Sequence, residues 1–204
     1  MINGINSREM ILEILLEIEE GEHSHVAIRN ALSKYQFLPK QDRAFITRVC
    51  EGTLEYRIQI DYIINSFSKV TVDKMKPAIR EILRSAVYQL KYMDSVPDSA
   101  VCNEAVKLAQ RKGFYNLKPF VNGVLRTIAR EMDQVRFPQK EDDLLKYLSV
   151  KYSMPEVLVT RWLEAYGEET TEKILADFLM EHPLTIRCRT YLNSKEEVIK
   201  LSLI

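Results

Sequence analysis

The spacing of apolar residues is the feature that most restricts the fold of this chain, because they recur every three or four positions over most of the sequence. Only six glycines and seven prolines interrupt the 204 residues, so few positions favour the turns between short strands. Segment 77–93 shows the pattern most clearly, since its apolar residues fall on one face of a helix. Those residues are Ile79, Ile82, Leu83, Ala86, Val87 and Leu90. The sequence therefore predicts an all-α protein.

Seven helices are predicted in the first two thirds of the chain. Asn6, with Glu9 three residues later, predicts the start of the first helix, which should extend to about residue 21. The other six are predicted at 24–35, 39–54, 56–67, 77–93, 98–112 and 117–131. Because the loops between them are short, we expect these helices to bury one shared core. We therefore predict a helical domain at residues 1–138.

A second region begins where residues 137–140, Phe-Pro-Gln-Lys, break the helical pattern. The next helices are predicted at 142–150, 155–166 and 169–179. Alternating apolar residues in 183–191 predict a short strand, and Ser194 with Glu197 forms a capping-box pattern that starts another helix. Because the sequence stops at Ile204 within that apolar helix, we expect the natural polypeptide to continue beyond it.

Charge is distributed unevenly along a chain that has no formal net charge. The 29 Lys and Arg residues balance 29 Asp and Glu residues, so composition alone gives no attraction to a polyanion. Residues 69–130, however, contain twelve basic and five acidic residues, a local net charge of +7. This span is either a surface for RNA phosphates or an ordinary solvated face, and the sequence leaves both interpretations open.

Cysteine usage and hydropathy indicate a protein of a reducing compartment. Cys50, Cys102 and Cys188 are odd in number and widely spaced, which is typical of a cytoplasmic protein without disulfides. We expect each of them to be a small buried apolar residue. No apolar run approaches the roughly 20 residues of a membrane helix, and the first residues do not form a leader pattern, so no membrane partner is expected.

Residue patterns for catalysis, metal binding and cofactor binding are missing from the sequence. His23, His25 and His182 do not have the spacing of metal ligands on a helix. No two of the six glycines lie within three residues of each other, whereas an S-adenosylmethionine site of the usual kind needs a glycine-rich turn. We therefore predict no catalytic residue, no metal and no cofactor in this chain.

A series of short strings resembles the NusB-like helical domain in order and spacing. They are Asp42-Arg43-Ala44-Phe45, Glu51-Gly52-Thr53-Leu54, Ile60-Asp61, Ile82-Leu83-Arg84, Val96-Pro97-Asp98, Asn103-Glu104-Ala105-Val106 and Phe120-Val121-Asn122-Gly123-Val124-Leu125-Arg126. Residues 139–204 also resemble the joining segment of one family, through Tyr152-Ser153-Met154-Pro155, Trp162, Tyr166-Gly167 and residues 183–187. The whole chain thus resembles the N-terminal part of the RsmB (Sun) family of bacterial ribosomal RNA cytosine-C5 methyltransferases.

The resemblance implies that this chain holds RNA while another domain performs the chemistry. In that family a cysteine thiolate attacks cytosine C6, and C5 takes a methyl group from S-adenosylmethionine. The family's cysteines lie in a proline-cysteine and a threonine-cysteine motif, which would follow Ile204. Neither motif is matched by Cys50, Cys102 or Cys188. We therefore expect the chain to bind small-subunit ribosomal RNA, with residues 139–204 as the start of the joining segment. S-adenosylmethionine would serve only the parent enzyme.

Two other functions stay open at the level of sequence. The first is a stand-alone NusB-like antitermination factor that binds RNA together with a ribosomal-protein partner. NusB itself is similar in using an arginine-rich first helix for RNA, whereas this first helix is acidic and has only Arg8 near its start. The second is a scaffold that binds only protein, through a helix face that carries Glu9, Glu13 and Glu17.

Five basic residues are predicted to contact RNA phosphates, because they lie near helix starts and turns. They are Lys74, Lys76, Arg80, Lys118 and Arg130.

Polar residues within the family strings have a structural interpretation. Asn103 and Glu104 are predicted to form buried polar bonds with Arg84 and Arg126, since a buried arginine needs paired acceptors. The single tryptophan, Trp162, is predicted to anchor the joining segment to the bundle rather than to stack on a base.

Overall fold

The computed structural model describes residues 6–180 together with Ser194 and Glu197. All regular structure in that part of the chain is helical, which confirms the all-α prediction. The helices are α1 Ser7–Glu19, α2 Ser24–Lys34, α3 Lys40–Glu55, α4 Arg57–Phe67, α5 Pro77–Tyr92, α6 Asp98–Arg111, α7 Lys118–Glu131, α8 Leu144–Lys151 and α9 Glu156–Phe178. Single 3-10 turns lie at Val72–Lys74, Tyr115–Leu117 and Met132–Gln134. None of these helices is both long and apolar enough to cross a membrane.

Helix α5 lies at the centre of a bundle formed by α1–α7. Pro77 occupies its first turn, where the missing N–H removes no hydrogen bond from the helix. The helix contacts α1, α3, α4, α6 and α7, and nearly all of its side chains from Ile79 to Gln89 are buried. The apolar face predicted from the sequence, including Leu83 and Val87, lies in the main core. The structure therefore confirms the seven predicted helices of the bundle, with small differences at their ends.

Helices α5 and α7 run in the same direction, so that both begin at one end of the bundle. At that end the Lys76 Nζ lies 5.3 Å from the centre of the Phe114 ring, which shortly precedes α7. At the other end the Lys91 Nζ lies 5.5 Å from the centre of the Phe137 ring, which shortly follows α7. The two helix starts therefore lie at the same end of the bundle.

A buried ion cluster joins α4 to α5. The Arg84 Nε and Nη2 atoms donate to the two oxygens of Asp61 at 2.7 and 2.6 Å, and Nη1 donates to Glu81 at 2.5 Å. Glu81 is only 3% exposed, and burial raises the pKa of its carboxyl. Arg84 therefore supplies the charge that keeps two carboxylates stable inside the bundle.

Asn103 and Glu104 lie outside this cluster, so the prediction that they hold Arg84 and Arg126 is wrong. Asn103 is exposed, and Glu104 accepts a hydrogen bond at 2.7 Å from a lysine one turn later in its own helix. Arg126 is likewise exposed and bonds to Asn122 of its own helix. The reason is geometric, because this face of α6 and α7 points to solvent while Arg84 points toward α4.

A glycine allows α3 to approach α5 closely. A Cβ placed on Gly52 would lie 2.1 Å from the Cζ atom of Tyr88, so any larger side chain would displace that ring. Tyr88 stacks in turn on Tyr56 and Tyr92, with ring centroids 6.4 and 5.3 Å apart. This tyrosine cluster fills the space between α3 and the C-terminal half of α5.

Helices α8 and α9 form a smaller unit with its own core, which we call the joining segment (residues 139–180 here). Leu148, Val159 and Leu175 are fully buried in that core. Gly167 has φ 73° and ψ 174°, a conformation that glycine adopts without strain. It bends α9 at the point where the sequence predicted a break between two helices.

Trp162 packs inside the joining segment, so the prediction that it anchors this segment to the bundle is wrong. Its side chain borders the small core of α8 and α9. Its ring stacks on Phe178, with the centroids 5.7 Å apart and the planes 3° from parallel. The tryptophan therefore ties the two halves of α9 together.

Ser153 and Gln59 connect the joining segment to the bundle instead. The Ser153 Oγ accepts a hydrogen bond of 3.1 Å from the N–H of Ile58, in the first turn of α4. Ser153 thus caps a helix whose own N-cap residue makes no side-chain bond. The Gln59 Nε2 donates to the carbonyls of Val150 and Lys151 at 3.1 and 3.2 Å.

The last predicted elements lie mostly outside the described residues. Ser194 and Glu197 are an exception: the Ser194 N–H donates to the Glu197 carboxylate at 2.8 Å, and the Glu197 N–H donates to the Ser194 Oγ at 3.2 Å. This reciprocal pair confirms the predicted capping box. The strand predicted at 183–191, together with Cys188 and His182, lies outside the described residues, and the boundary at residue 138 stays a prediction.

Candidate RNA interface

Three of the five predicted RNA-contact residues lie together where α5 and α7 begin. Lys74 ends the 3-10 turn Val72–Lys74, Lys76 immediately precedes α5, and Lys118 begins α7. The Phe114 ring lies under the Lys76 ammonium and connects the two helix starts. We call the surface formed by Lys74, Lys76, Tyr115 and Lys118 the basic end.

The starts of α5 and α7 offer backbone donors at the basic end. Neither helix has a side-chain hydrogen bond at its N-cap within the described part of the chain. Pro77 and Pro119 have no N–H, and the Lys118 N–H donates to the Tyr115 carbonyl, so the available donors are the remaining N–H groups of the two first turns. The helix dipole makes that end positive. A phosphate group placed there would meet both N–H donors and lysine ammonium groups.

The lysines of the basic end are available for an anion. Within residues 6–180, Lys74, Lys76 and Lys118 have no carboxylate at ion-pair distance. Lys74 and Lys76 are exposed, and Lys118 is half-buried. Asp73 is the acidic residue nearest in sequence, and its hydrogen bond with Thr71 lowers its pKa. The surface is therefore basic but not uniformly so.

Tyr115 is a candidate that the sequence predictions missed. Its side chain is 61% exposed, and it starts the turn that leads directly into α7. An exposed aromatic ring beside lysines provides a surface on which an unpaired base can stack. The sequence contains a signal for this candidate, because two aromatic residues lie between the basic residues of segment 111–118.

Arg80 lies beside the turn that carries Lys74 but is already paired, whereas Arg130 lies apart from the basic end. Arg80 is held by Glu19 of α1 and donates to the carbonyl of Val72 at 3.2 Å, so its guanidinium fixes the turn before α5. Arg130 is 70% exposed and pairs with Glu131 at 2.5 Å. It is twelve positions after Lys118 in α7, about 18 Å along the helix axis. An RNA role for these two arginines stays a prediction.

The acidic face of α1 is paired with the end of α6. The Lys112 Nζ lies 3.7 Å from Glu9 and 3.1 Å from Glu13, and Arg111 lies 4.0 Å from Glu9. These ion pairs neutralise two basic residues of segment 69–130 within the folded chain. A scaffold that binds only protein would depend on the carboxylates of Glu9, Glu13 and Glu17. The ion pairs occupy Glu9 and Glu13 and leave Glu17 out.

Cys50 and Cys102 are buried, as the sequence predicted. Burial raises the pKa of the Cys50 thiol, and burial also raises the pKa of Cys102. Both side chains pack in the main core, where burial disfavours the reactive thiolate form.

An ion network surrounds Glu172 in the joining segment. Lys151 and Lys140 lie 3.0 and 3.1 Å from its carboxylate, and the Tyr152 hydroxyl donates to it at 3.1 Å. The hydrogen bond from Lys151, aided by those from Lys140 and Tyr152, lowers the pKa of Glu172 to about 2. The network links α8, α9 and the connection at Lys140.

Comparison with known protein families identifies the bundle. A model described as the NusB family matches residues 5–130, which include all of α1–α7 except the last residue of α7. The chain belongs to the NusB family. Among curated relatives, the transcription antitermination protein NusB of Dictyoglomus thermophilum is 33% identical to this NusB-family chain over 130 residues, 63% of the chain and 85% of that protein.

A second relative also matches the joining segment. The probable ribosomal RNA small subunit methyltransferase B of Bacillus subtilis is 33% identical over 192 residues, which cover 94% of this chain and 42% of that protein. The chain therefore spans less than half the length of this relative. The resemblance noted in the sequence, to a NusB-like region of a methyltransferase of this type, is confirmed.

Two solved structures share the fold. The crystal structure of PH0851 has a TM-score of 0.69 at 22% identity and covers 97% of this chain and 44% of its own chain. Antitermination factor NusB, in a crystal structure with NusE and double-stranded RNA, has a TM-score of 0.56 at 21% identity over 61% of this chain and 93% of its own. The first match extends the shared fold through the joining segment.

Proposed function

We propose that this chain is the RNA-binding region of an S-adenosylmethionine-dependent methyltransferase that modifies a cytosine C5 of small-subunit ribosomal RNA. One observation carries the proposal: three lysines that have no carboxylate partner among residues 6–180 lie at two helix starts of a NusB-family bundle. The chain would hold and position the RNA. The catalytic cysteine and the S-adenosylmethionine site would belong to the remainder of a longer protein, acting in the cytoplasm of a bacterium.

Binding at the basic end would be mainly electrostatic. The lysine ammonium groups and the N–H groups of α5 and α7 would contact phosphates, which fix the position of the RNA without reading its sequence. The ring of Tyr115 would stack on an unpaired base. Each phosphate contact adds about 0.7 for single strands, or about 0.9 for duplexes, to the slope of log affinity against log salt.

A second function is favoured by a separate observation. The NusB of Dictyoglomus thermophilum aligns over 85% of its length, so the bundle also supports an antitermination role in which RNA and a ribosomal protein are bound together. The joining segment is what separates the two proposals. The capping of α4 by Ser153 and the hydrogen bonds from Gln59 to two carbonyls of α8 tie it to the bundle. A factor that consists of the bundle alone has no need for these contacts.

The basic end is tested by replacing its three lysines with glutamine, as K74Q/K76Q/K118Q. We expect affinity for a short RNA to fall about tenfold at low salt and the salt slope to decrease by about 2. Fluorescence anisotropy at several salt concentrations measures both quantities. The matched control is K34Q/K107Q/K173Q, which removes the same charge from other surfaces. An equal loss in the two variants, or an unchanged slope in the first, would contradict the proposal.

The choice between the two functions needs a cellular measurement. In a strain that lacks the gene, bisulfite sequencing of small-subunit ribosomal RNA should reveal one cytosine that has lost its methyl group. Loss of transcription readthrough with complete methylation would instead support the antitermination role.

A further inference from the structure

A cleft lies between the bundle and the joining segment, at the opposite end of α5 from the basic end. Its volume is about 270 Å³, and it is lined by Gln59, Lys91, Tyr147, Lys151 and residues 137–139. No carboxylate contributes to its lining, so its charged groups are two lysines. A shallow cleft whose lining carries two ammonium groups and no carboxylate is suited to an anionic ligand, with Glu172 behind the lining offsetting part of the charge of Lys151.

Lys91 lacks an anionic partner in this cleft. It is half-buried, and its Nζ lies 5.5 Å from the centres of both the Tyr92 and the Phe137 rings. No carboxylate lies at ion-pair distance from it in residues 6–180. Asp133 acts on this ammonium group electrostatically from beyond ion-pair distance. A partly desolvated ammonium group without a close carboxylate gains more from a bound anion than an exposed lysine does.

Lys151 supplies the second charge from the joining segment. Its Nζ lies 4.9 Å from the centre of the Tyr147 ring and donates to that hydroxyl at 2.6 Å. Glu172 also lies 3.0 Å from it and holds it in place. The two lysines thus approach the cleft from different parts of the fold, each beside an aromatic ring.

The walls of the cleft are fixed before any ligand binds. Gln59 accepts a hydrogen bond from the Tyr92 hydroxyl and donates to two carbonyls of α8, so it connects both sides. Phe137 stacks on Tyr62, with ring centroids 5.7 Å apart. Because these side chains are already ordered, binding would lose little conformational entropy.

We propose that this cleft binds one nucleotide of single-stranded RNA, with its phosphate between Lys91 and Lys151 and its base against Phe137 and Tyr147. Two ammonium groups match a phosphate, and two aromatic walls match a planar base. This proposal rests on the proposed function, because the ligand is again RNA, but the cleft is a different site from the basic end. Lys76 and Lys91 are fifteen positions apart along α5, about 22 Å. One strand would therefore contact the bundle at both ends.

The affinity test uses the whole 204-residue chain and a fluorescein-labelled ten-nucleotide oligocytidylate. We expect K91Q to weaken binding about tenfold, because it removes a charged hydrogen bond to phosphate. K173Q is the matched control, since Lys173 is 74% exposed on the same joining segment and pairs with Glu169, one turn earlier in α9. Equal affinity of K91Q and K173Q would overturn the proposal.

Crosslinking locates the bound nucleotide. An oligonucleotide that contains 4-thiouridine should, under ultraviolet light, attach to Phe137 or Tyr147 in the wild-type chain and not in K91Q. If adducts form only at Tyr115, the cleft does not bind RNA and the proposal is overturned. If cytidine 5′-monophosphate, added before irradiation, prevents adduct formation as effectively as the unlabelled oligonucleotide does, the ligand is a free nucleotide and the RNA assignment is overturned.

The two sites can fail independently. The K74Q/K76Q/K118Q variant should lose affinity but, at raised protein concentration, still form the adduct at Phe137 or Tyr147. Normal affinity in K91Q with a weakened triple variant would reject the cleft and leave the proposed function intact. A weakened K91Q with an unaffected triple variant would reject the basic end and leave the cleft.

Discussion

The bundle and the joining segment are stabilised in different ways. Buried apolar residues from all of α1–α7 meet in one continuous core around α5. The joining segment has three fully buried apolar residues, Leu148, Val159 and Leu175, and supplements them with charged contacts to Glu172. Apolar burial is little affected by pH, whereas ion pairs weaken with acid and salt. The joining segment should therefore lose its structure first.

The bundle also buries the ion cluster around Arg84, and breaking this cluster should have the largest effect. Arg84→Ala would leave Glu81 charged, buried and without a partner, so we expect a loss of about 4 kcal/mol in the free energy of unfolding. Urea denaturation followed by circular dichroism measures this loss.

The matched variant for this test is Glu81→Gln/Arg84→Met, which removes both charges and keeps the volume. It should recover most of the stability, because Asp61 is more exposed and can be hydrated. If the single variant is as stable as the wild type, the ion cluster is not what holds α4 against α5.

A cavity in the small core should unfold the joining segment alone. We expect Leu175→Ala to cost about 3 kcal/mol, because Leu175 is fully buried among few other apolar residues. Trp162, the single tryptophan, borders this core, so its fluorescence reports only on this region. The fluorescence transition should move to lower urea while circular dichroism keeps a later transition from the bundle. Leu158→Ala, at a 37% exposed position of the same helix, should change neither. A single shared transition would show that the regions unfold together.

The helices and their ends could be predicted from sequence because their signals are local. The apolar spacing of segment 77–93 and the break at Gly167 both appear within a few neighbouring residues. The capping box at Ser194 and Glu197 is a pattern of four residues, and it is confirmed by reciprocal hydrogen bonds. Such features need no knowledge of which helices are neighbours.

Partner choice between distant residues could not be predicted in the same way. Arg84 pairs with Asp61 rather than with residues of α6, because α5 turns that side chain toward α4. Arg80 belongs to the same basic span as Lys76, yet a glutamate of α1 holds it. A charge count along the sequence shows how many basic side chains are present but not which of them form ion pairs within the fold.

The smallest predicted effect is a pH dependence confined to the joining segment. The pKa of Glu172 falls from an ordinary value of 4.5 to about 2 in the folded chain, so its charged form favours folding. The stabilisation is therefore complete above pH 4.5 and is lost as the pH falls from about 4.5 to about 2. Because Glu172 and its lysine partners are partly exposed, water and salt screen their attraction. We therefore expect Glu172→Gln to lower the free energy of unfolding of the joining segment by only about 1 kcal/mol at pH 7.

Trp162 fluorescence during urea denaturation at a series of pH values measures this effect. The wild-type joining segment should weaken below pH 4.5, whereas Glu172→Gln should be weaker at neutral pH and change less with acid. Glu169→Gln is the control, because Glu169 is 84% exposed and pairs with a single exposed lysine. If the fluorescence transition of Glu172→Gln keeps the full acid dependence, the network around Glu172 is not the contact that distinguishes this region from the bundle.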